Sequence, residues 1–119
     1  MITKLKENEI FVFGSNLAGS HGGGAAKYAK DNFGAEEGVG EGFTGKCYAF
    51  PTLGTHLEMR KDSELKISVA KLYKACEVNS DKTFLLTAVG TGIAGYPVEY
   101  MKHLFDNPPA NLTLPDEFK

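Results

Sequence analysis

Phe11-Val12-Phe13-Gly14-Ser15-Asn16-Leu17-Ala18-Gly19-Ser20-His21-Gly22-Gly23-Gly24-Ala25-Ala26-Lys27-Tyr28 passes from an apolar run, through glycines, into an alanine-rich run. The order reads strand, glycine turn, helix. It returns further on, where Phe84-Leu85-Leu86-Thr87-Ala88-Val89 leads into Gly90-Thr91-Gly92-Ile93-Ala94-Gly95-Tyr96 and then Pro97-Val98-Glu99. A helix start offers unpaired backbone N–H groups and the positive end of the helix dipole, a setting that holds phosphate. Glycine lets a ligand approach that backbone and permits tight turns with positive φ. Two such junctions in a chain of 119 residues point to a pyrophosphate held between two loops.

Working outward, residues 9–13 read as a short buried strand. Residues 25–33 read as a helix, with Ala25, Tyr28, Ala29 and Phe33 at helical spacing and Gly34 as its stop. The acidic, glycine-laden residues 36–45 read as loop. Residues 47–50 form a second strand candidate that Pro51 should end, and residues 52–61 an irregular connection. Asp62 or Ser63 can cap the next helix, whose stripe Leu65, Val69, Leu72, Tyr73 and Cys76 is amphipathic. Residues 84–89 are continuously apolar, as in a central strand covered on both faces. Pro97 suits the start of a last helix with Val98, Met101, Leu104 and Phe105 on its buried side, and Pro108-Pro109 ends it. Residues 110–119 read as a docked or frayed tail. Alternating strands and helices predict a single α/β domain over residues 1–119, with ligands near the carboxyl ends of the strands.

Composition narrows the function. Apolar residues make up 42% and charged residues 24%, with a formal net charge of −2. Beyond Met59-Arg60-Lys61 there is no basic cluster, so no nucleic-acid groove is expected. No apolar run approaches the ~20 residues of a membrane span, and the opening Met1-Ile2-Thr3-Lys4-Leu5-Lys6 is too polar for a signal peptide. Cys47 and Cys76 fall in a strand and on an apolar helix face, which reads as buried, reduced thiols in a cytoplasmic protein. No metal or cofactor is expected, because no Cys/His spacing suggests ligands.

The motifs admit several chemistries. Gly90-Thr91-Gly92-Ile93-Ala94-Gly95 matches GxGxxG, but a dinucleotide site needs an acidic residue about 20 positions on, at the end of a second strand. That distance reaches Asp116 and Glu117 in the tail, with no strand before them. His21-Gly22-Gly23-Gly24 has the form of an esterase oxyanion loop, yet the chain lacks the GxSxG nucleophile. The plainest alternative is a pair of glycine turns serving packing alone. Asn16 and His21 are the polar side chains best placed for chemistry. Their structural alternatives are an Asn bonded to its own turn and a surface His at a helix start. His56 and His103 read as incidental surface residues.

The same residues carry a resemblance. Residues 11–16, with His21-Gly22-Gly23-Gly24-Ala25-Ala26 beginning five positions after Asn16, resemble the first ADP-ribose loop of macro domains, viral ones especially. Residues 87–97 resemble the second, phosphate-cradling loop, and residues 46–52 and the helix of residues 63–78 fall in the family's order. The resemblance spans residues 9–105. It implies a three-layer α/β/α sandwich with a mixed, mostly parallel central sheet. It also implies binding of ADP-ribose, a related nucleotide or an ADP-ribosylated macromolecule. Asn16 would contact the distal ribose. Gly14, Ser15, Gly22, Gly23, Gly24 and Ala25 would approach ribose and phosphates. Val89, Gly90, Thr91, Gly92, Ile93, Ala94 and Gly95 would wrap the diphosphate, and Tyr96 would pack on the distal ribose.

The departures bear on activity. Met1 stands where the family's adenine-binding aspartate would be, while Ala25-Ala26 and Ala94 replace the aspartates of two hydrolase branches. The chain is also short for the family, so an edge strand or helix should be missing. Beside a nucleotide-binding protein of unrelated role, two functions remain from this reading. One is a reader that binds ADP-ribose without turnover. The other is a hydrolase of labile, ester-linked ADP-ribose, with Asn16 orienting the ribose and His21 assisting water or the leaving group.

Overall fold

The computed structural model describes residues 2–119, so the position occupied by Met1 lies outside the described residues. Five strands form one sheet in the order β2-β3-β1-β4-β5. They are β1 (Glu9–Asn16), β2 (Gly42–Thr44), β3 (Cys47–Leu53), β4 (Thr83–Leu86) and β5 (Leu112–Thr113). The helices are α1 (Gly24–Phe33), α2 (Asp62–Val78) and α3 (Val98–Leu104), and a 3-10 turn closes the chain at Asp116–Phe118. Strand β1 lies parallel to both β3 and β4, β4 is parallel to β5, and only β2 runs antiparallel, against β3. The fold is α/β with a mixed, mostly parallel sheet.

Alternation along the central strands sends side chains to two cores. Phe11 and Phe13 of β1 join Cys47 and Ala49 of β3 beneath Ala26, Ala29 and Phe33 of α1. Ile10, Val12, Tyr48 and Phe50 point the other way, against Leu65, Val69, Leu72 and Cys76 of α2 and Met101 of α3. Gly34 ends α1 in the left-handed region with φ 78°, the conformation a glycine stop supplies. Among the described residues no helix is long and apolar enough to cross a membrane.

Several boundaries depart from the sequence reading, each for a packing reason. Residues 36–45 are not all loop, because Phe43 pairs with Tyr48 across the β2–β3 hairpin and their rings meet edge to face at 5.3 Å. Pro51 does not end β3. Strand β2 pairs only as far as Ala49, so Pro51 stands where β3 keeps a neighbour on one side and loses no ladder bond there. The α2 cap is Lys61 rather than Asp62 or Ser63, and the Glu64 carboxylate accepts its backbone N–H at 2.8 Å. Strand β4 stops at Leu86 and keeps Leu85 half-buried, so it is fully covered on one face only. The tail docks: Leu112 is buried, and Phe118 stacks on Phe105 at 5.7 Å. Asn111 fastens it, the two hydrogens of its Nδ2 shared among the carbonyls of Cys76 in the last turn of α2 and of Asn79 and Lys82 in the turn that follows.

Candidate functional site

At the carboxyl ends of β3, β1 and β4 the chain leaves the sheet on diverging paths and encloses a cleft of about 550 Å³. Gly14, Ser15 and Asn16 line it from the end of β1, and Gly22, Gly23, Gly24 and Ala25 from the entry to α1. Val89, Gly90, Thr91, Gly92, Ile93 and Ala94 line it from the loop after β4. The two glycine junctions are therefore brought together in space. Gly14 shows how closely: a Cβ there would stand 3.6 Å from the Gly90 nitrogen and 3.7 Å from the Val89 Cα. Across the mouth, the Ile93 Cδ1 would lie 3.3 Å from a Cβ on Gly24, so the tip of the second loop reaches the start of α1.

Backbone hydrogen bonding leaves this lining rich in free donors. In the second loop, Val89, Thr91, Gly95 and Tyr96 donate to the carbonyls of Thr87, Ala88, Gly92 and Gly90, which sets its coiled path. Among the described residues nothing accepts from the N–H groups of Gly90, Gly92, Ile93 and Ala94. The first bond of α1 runs from Lys27 to Gly23, so the N–H groups of Gly22, Gly23, Gly24, Ala25 and Ala26 are likewise without an acceptor there. No lining residue carries a formal charge. The electrostatics of the cleft come from oriented amides, which favour an anion.

The polar residues singled out by sequence sit differently from one another. Asn16 lines the cleft, but its amide also ties the loop: Oδ1 accepts the Ser20 N–H and Nδ2 donates to the Ser20 carbonyl, both at 3.1 Å. One Nδ2 hydrogen and one Oδ1 lone pair remain for a ligand. His21 is buried outside the lining, edge-on to Phe13 at 5.4 Å. Its Nε2–H donates to the Val39 carbonyl at 3.1 Å, and Nδ1 has no partner among the described residues. Gly95 and Tyr96 also lie outside the lining. Tyr96 is buried, with its ring stacked on Tyr100 at 5.9 Å. Its hydroxyl donates to the Thr52 carbonyl at 2.9 Å and accepts the Arg60 N–H at 2.8 Å, bracing the second loop against the end of β3.

Two contributions escape sequence reasoning. The first is the wall formed by Thr52, Leu53 and Leu57, with Ser20 in the first loop adding a hydroxyl-bearing side chain. The apolar pair Leu53 and Leu57 around Gly54-Thr55-His56 is a hairpin signal that could have marked the wall. The second is the acidic glycine segment, which supports the first loop from behind. Gly38 donates to the Gly19 carbonyl at 2.8 Å, Ser15 Oγ to the Gly40 carbonyl at 2.5 Å, and the His21 N–H to Glu37 at 3.1 Å. The His21 N–H and the Lys30 ammonium hold the Glu37 carboxyl below its ordinary range. A Cβ on Gly19 would fall on the Gly38 backbone, and one on Gly40 on the Asn16 carbonyl, so these glycines are set by close approach.

No protein-family model, curated protein or solved structure matches the chain. Among the described residues there is no cluster of His, Cys, Asp and Glu that could hold a metal. The two cysteines are free and buried away from the lining, and burial pushes both thiols up to about 12.

Proposed function

We propose that the protein is a macro-domain-like three-layer α/β/α sandwich that binds ADP-ribose or a related nucleotide diphosphate between its two glycine loops. One observation carries this reading: the lining residues of both loops leave backbone N–H groups without acceptors around a single uncharged cleft. A pyrophosphate is the anion whose two ends such a pair of loops can share. The cleft volume falls within the ~300–1,000 Å³ of small-molecule sites, which leaves room for sugar on either side of the phosphates. Asn16, with one donor and one acceptor position to spare, would bond a ribose hydroxyl.

The chemistry of the lining favours a reader over a hydrolase. It contains no carboxylate, imidazole, thiol or amine, and general acid–base assistance is typically worth about 10²–10⁴ in rate. His21, buried behind the first loop, would act as a positioning residue rather than at the reacting bond. Calorimetry with ADP-ribose, ADP and AMP tests the reading. ADP-ribose and ADP should bind more tightly than AMP, which lacks the pyrophosphate. Equal affinity for ADP-ribose and AMP, or none for any of the three, would refute it. Release of ADP-ribose from an ester-linked substrate above the buffer rate, reduced by Asn16→Ala, would decide for the hydrolase.

A further inference from the structure

We infer that Arg60, which lies outside the cleft, is a positioning residue that sets the distance between the two glycine loops, and with it the preference for a diphosphate over a monophosphate. The inference rests on the function proposed above and adds what fixes its specificity. Arg60 is half-buried two residues before α2 and is not among the lining residues. Its Nη1 donates to the Pro51 carbonyl at 2.8 Å and to Ser68 Oγ at 2.9 Å. Ser68, buried on α2, passes its own hydrogen to the Glu41 carboxylate at 2.7 Å. A guanidinium and a carboxylate thus meet through one hydroxyl, behind the end of β3.

Both loops hang from the point this pair holds. Thr52, next after Pro51, reaches the first loop, where its Oγ1 donates to the Ser15 carbonyl at 3.3 Å. The Thr52 carbonyl accepts the Tyr96 hydroxyl at 2.9 Å, at the end of the second loop. The Arg60 backbone N–H donates to the same hydroxyl at 2.8 Å. On the other side, Ser15 Oγ donates to the Gly40 carbonyl, one residue before Glu41. The bonds close a ring from Arg60 through Thr52, Ser15 and Glu41 and back by way of Ser68, and Tyr96 branches from it to the second loop. Such a ring contributes geometry more than stability. A half-buried guanidinium, its Nε without a partner among the described residues, is commonly matched for stability by an apolar side chain of similar volume. What the ring fixes is spacing. A pyrophosphate gains from both loops only when they already stand the right distance apart, whereas a single phosphate needs one of them.

The test is calorimetry with ADP and with AMP on the wild-type protein, Arg60→Met, Tyr96→Phe and the double variant, and its readout is the ratio of the two affinities. A variant that is merely less stable lowers the folded fraction and weakens both ligands equally, which leaves the ratio where it was. Arg60→Met and Tyr96→Phe should each lower the preference for ADP by about tenfold, the effect of misplacing one donor to a charged group. The double variant should fall no further than the lower of the two, because both changes cut the same link. Tyr96→Phe alters no charge, so it separates positioning from the field of the guanidinium. Should Arg60→Met not fold, Ser68→Ala takes its place in the same cycle, with Arg60 and Glu41 both kept. A wild-type preference for ADP that survives in either single variant, or effects that multiply in the double variant, would overturn the positioning role alone. Equal wild-type affinities for ADP and AMP would overturn the proposed function and the inference with it.

Discussion

Gly92→Val should separate binding from folding. Gly92 lines the cleft, its φ lies outside the left-handed region, and no atom lies within 4 Å of the place a Cβ would take. A valine there meets neither clash nor backbone strain. Stability should change by no more than about 0.5 kcal/mol, with a small gain if the stiffer residue restricts the unfolded chain. In the cleft the branch would stand beside the free N–H groups of Gly92 and Ile93. A hydrogen bond to a charged group contributes about 1.5–3 kcal/mol, so losing two weakens ADP-ribose by roughly two to four orders of magnitude. Gly90→Val is the contrasting control. Its φ is 80°, and a Cβ would come within 3.0 Å of the Met101 Cε, so that variant should lose stability. Calorimetry and thermal melts on the same samples decide the matter. Wild-type ADP-ribose affinity in a normally folded Gly92→Val protein would refute the phosphate cradle.

Gly19→Ala should cost at least about 2 kcal/mol, since φ is 72° and its Cβ would fall on the Gly38 backbone; a melting temperature near wild type would refute the close contact. Asn111→Ala frees three carbonyls in the last turn of α2 and the turn after it, and should cost about 1–3 kcal/mol, read as a lower urea midpoint at constant slope. Alkali should destabilise the fold. Burial raises the Cys47 and Cys76 thiols from 9.0 to about 12, so above about pH 9 the unfolded state holds fewer protons than the native state. The stability present below that pH is therefore lost on rising toward pH 12, and Tyr48 and Tyr73, raised from 10.0 to about 12, add to the fall. A urea midpoint that stays flat from about pH 8 to about pH 11 would refute the burial.

What could be read from the sequence is what local chemistry specifies. The stripe on α2 follows a 3.6-residue period that only a helix satisfies, and four of its five members are fully buried. Gly34, φ 78°, needed no tertiary information either. The two glycine junctions were legible because each is written continuously in the chain. That the two would share one anion followed from their likeness; that β1 lies beside β4, which brings them together, is written nowhere in the local sequence. The acidic glycine segment hid its role for the same reason: Gly38 and Gly40 matter through the backbone they touch, which no neighbour in sequence reveals. Tyr96 and His21 look like site residues because they flank glycines. The fold engages the Tyr96 hydroxyl with Thr52 and Arg60 and the His21 Nε2–H with Val39, bonds that fix the loops in place. Leu57 was missed because residues 52–61 read as an irregular connection, although the pair Leu53 and Leu57 around Gly54-Thr55-His56 marks a turn.

The parallel pairing of β1 with β4 also governs when the cleft can exist. Thr87 Oγ1 donates to the Val12 carbonyl across 75 positions of chain, and every donor of the second loop lies beyond that bond. A chain emerging from synthesis holds the first loop long before the second has been made. Contacts of such large sequence separation form late and slowly, because the loop entropy is spent before the pairing rewards it. A ligand that needs both loops therefore has no early intermediate to capture. It should slow unfolding in proportion to its occupancy while leaving the folding rate unchanged, acting as a lock on the finished protein and not as a template for making it.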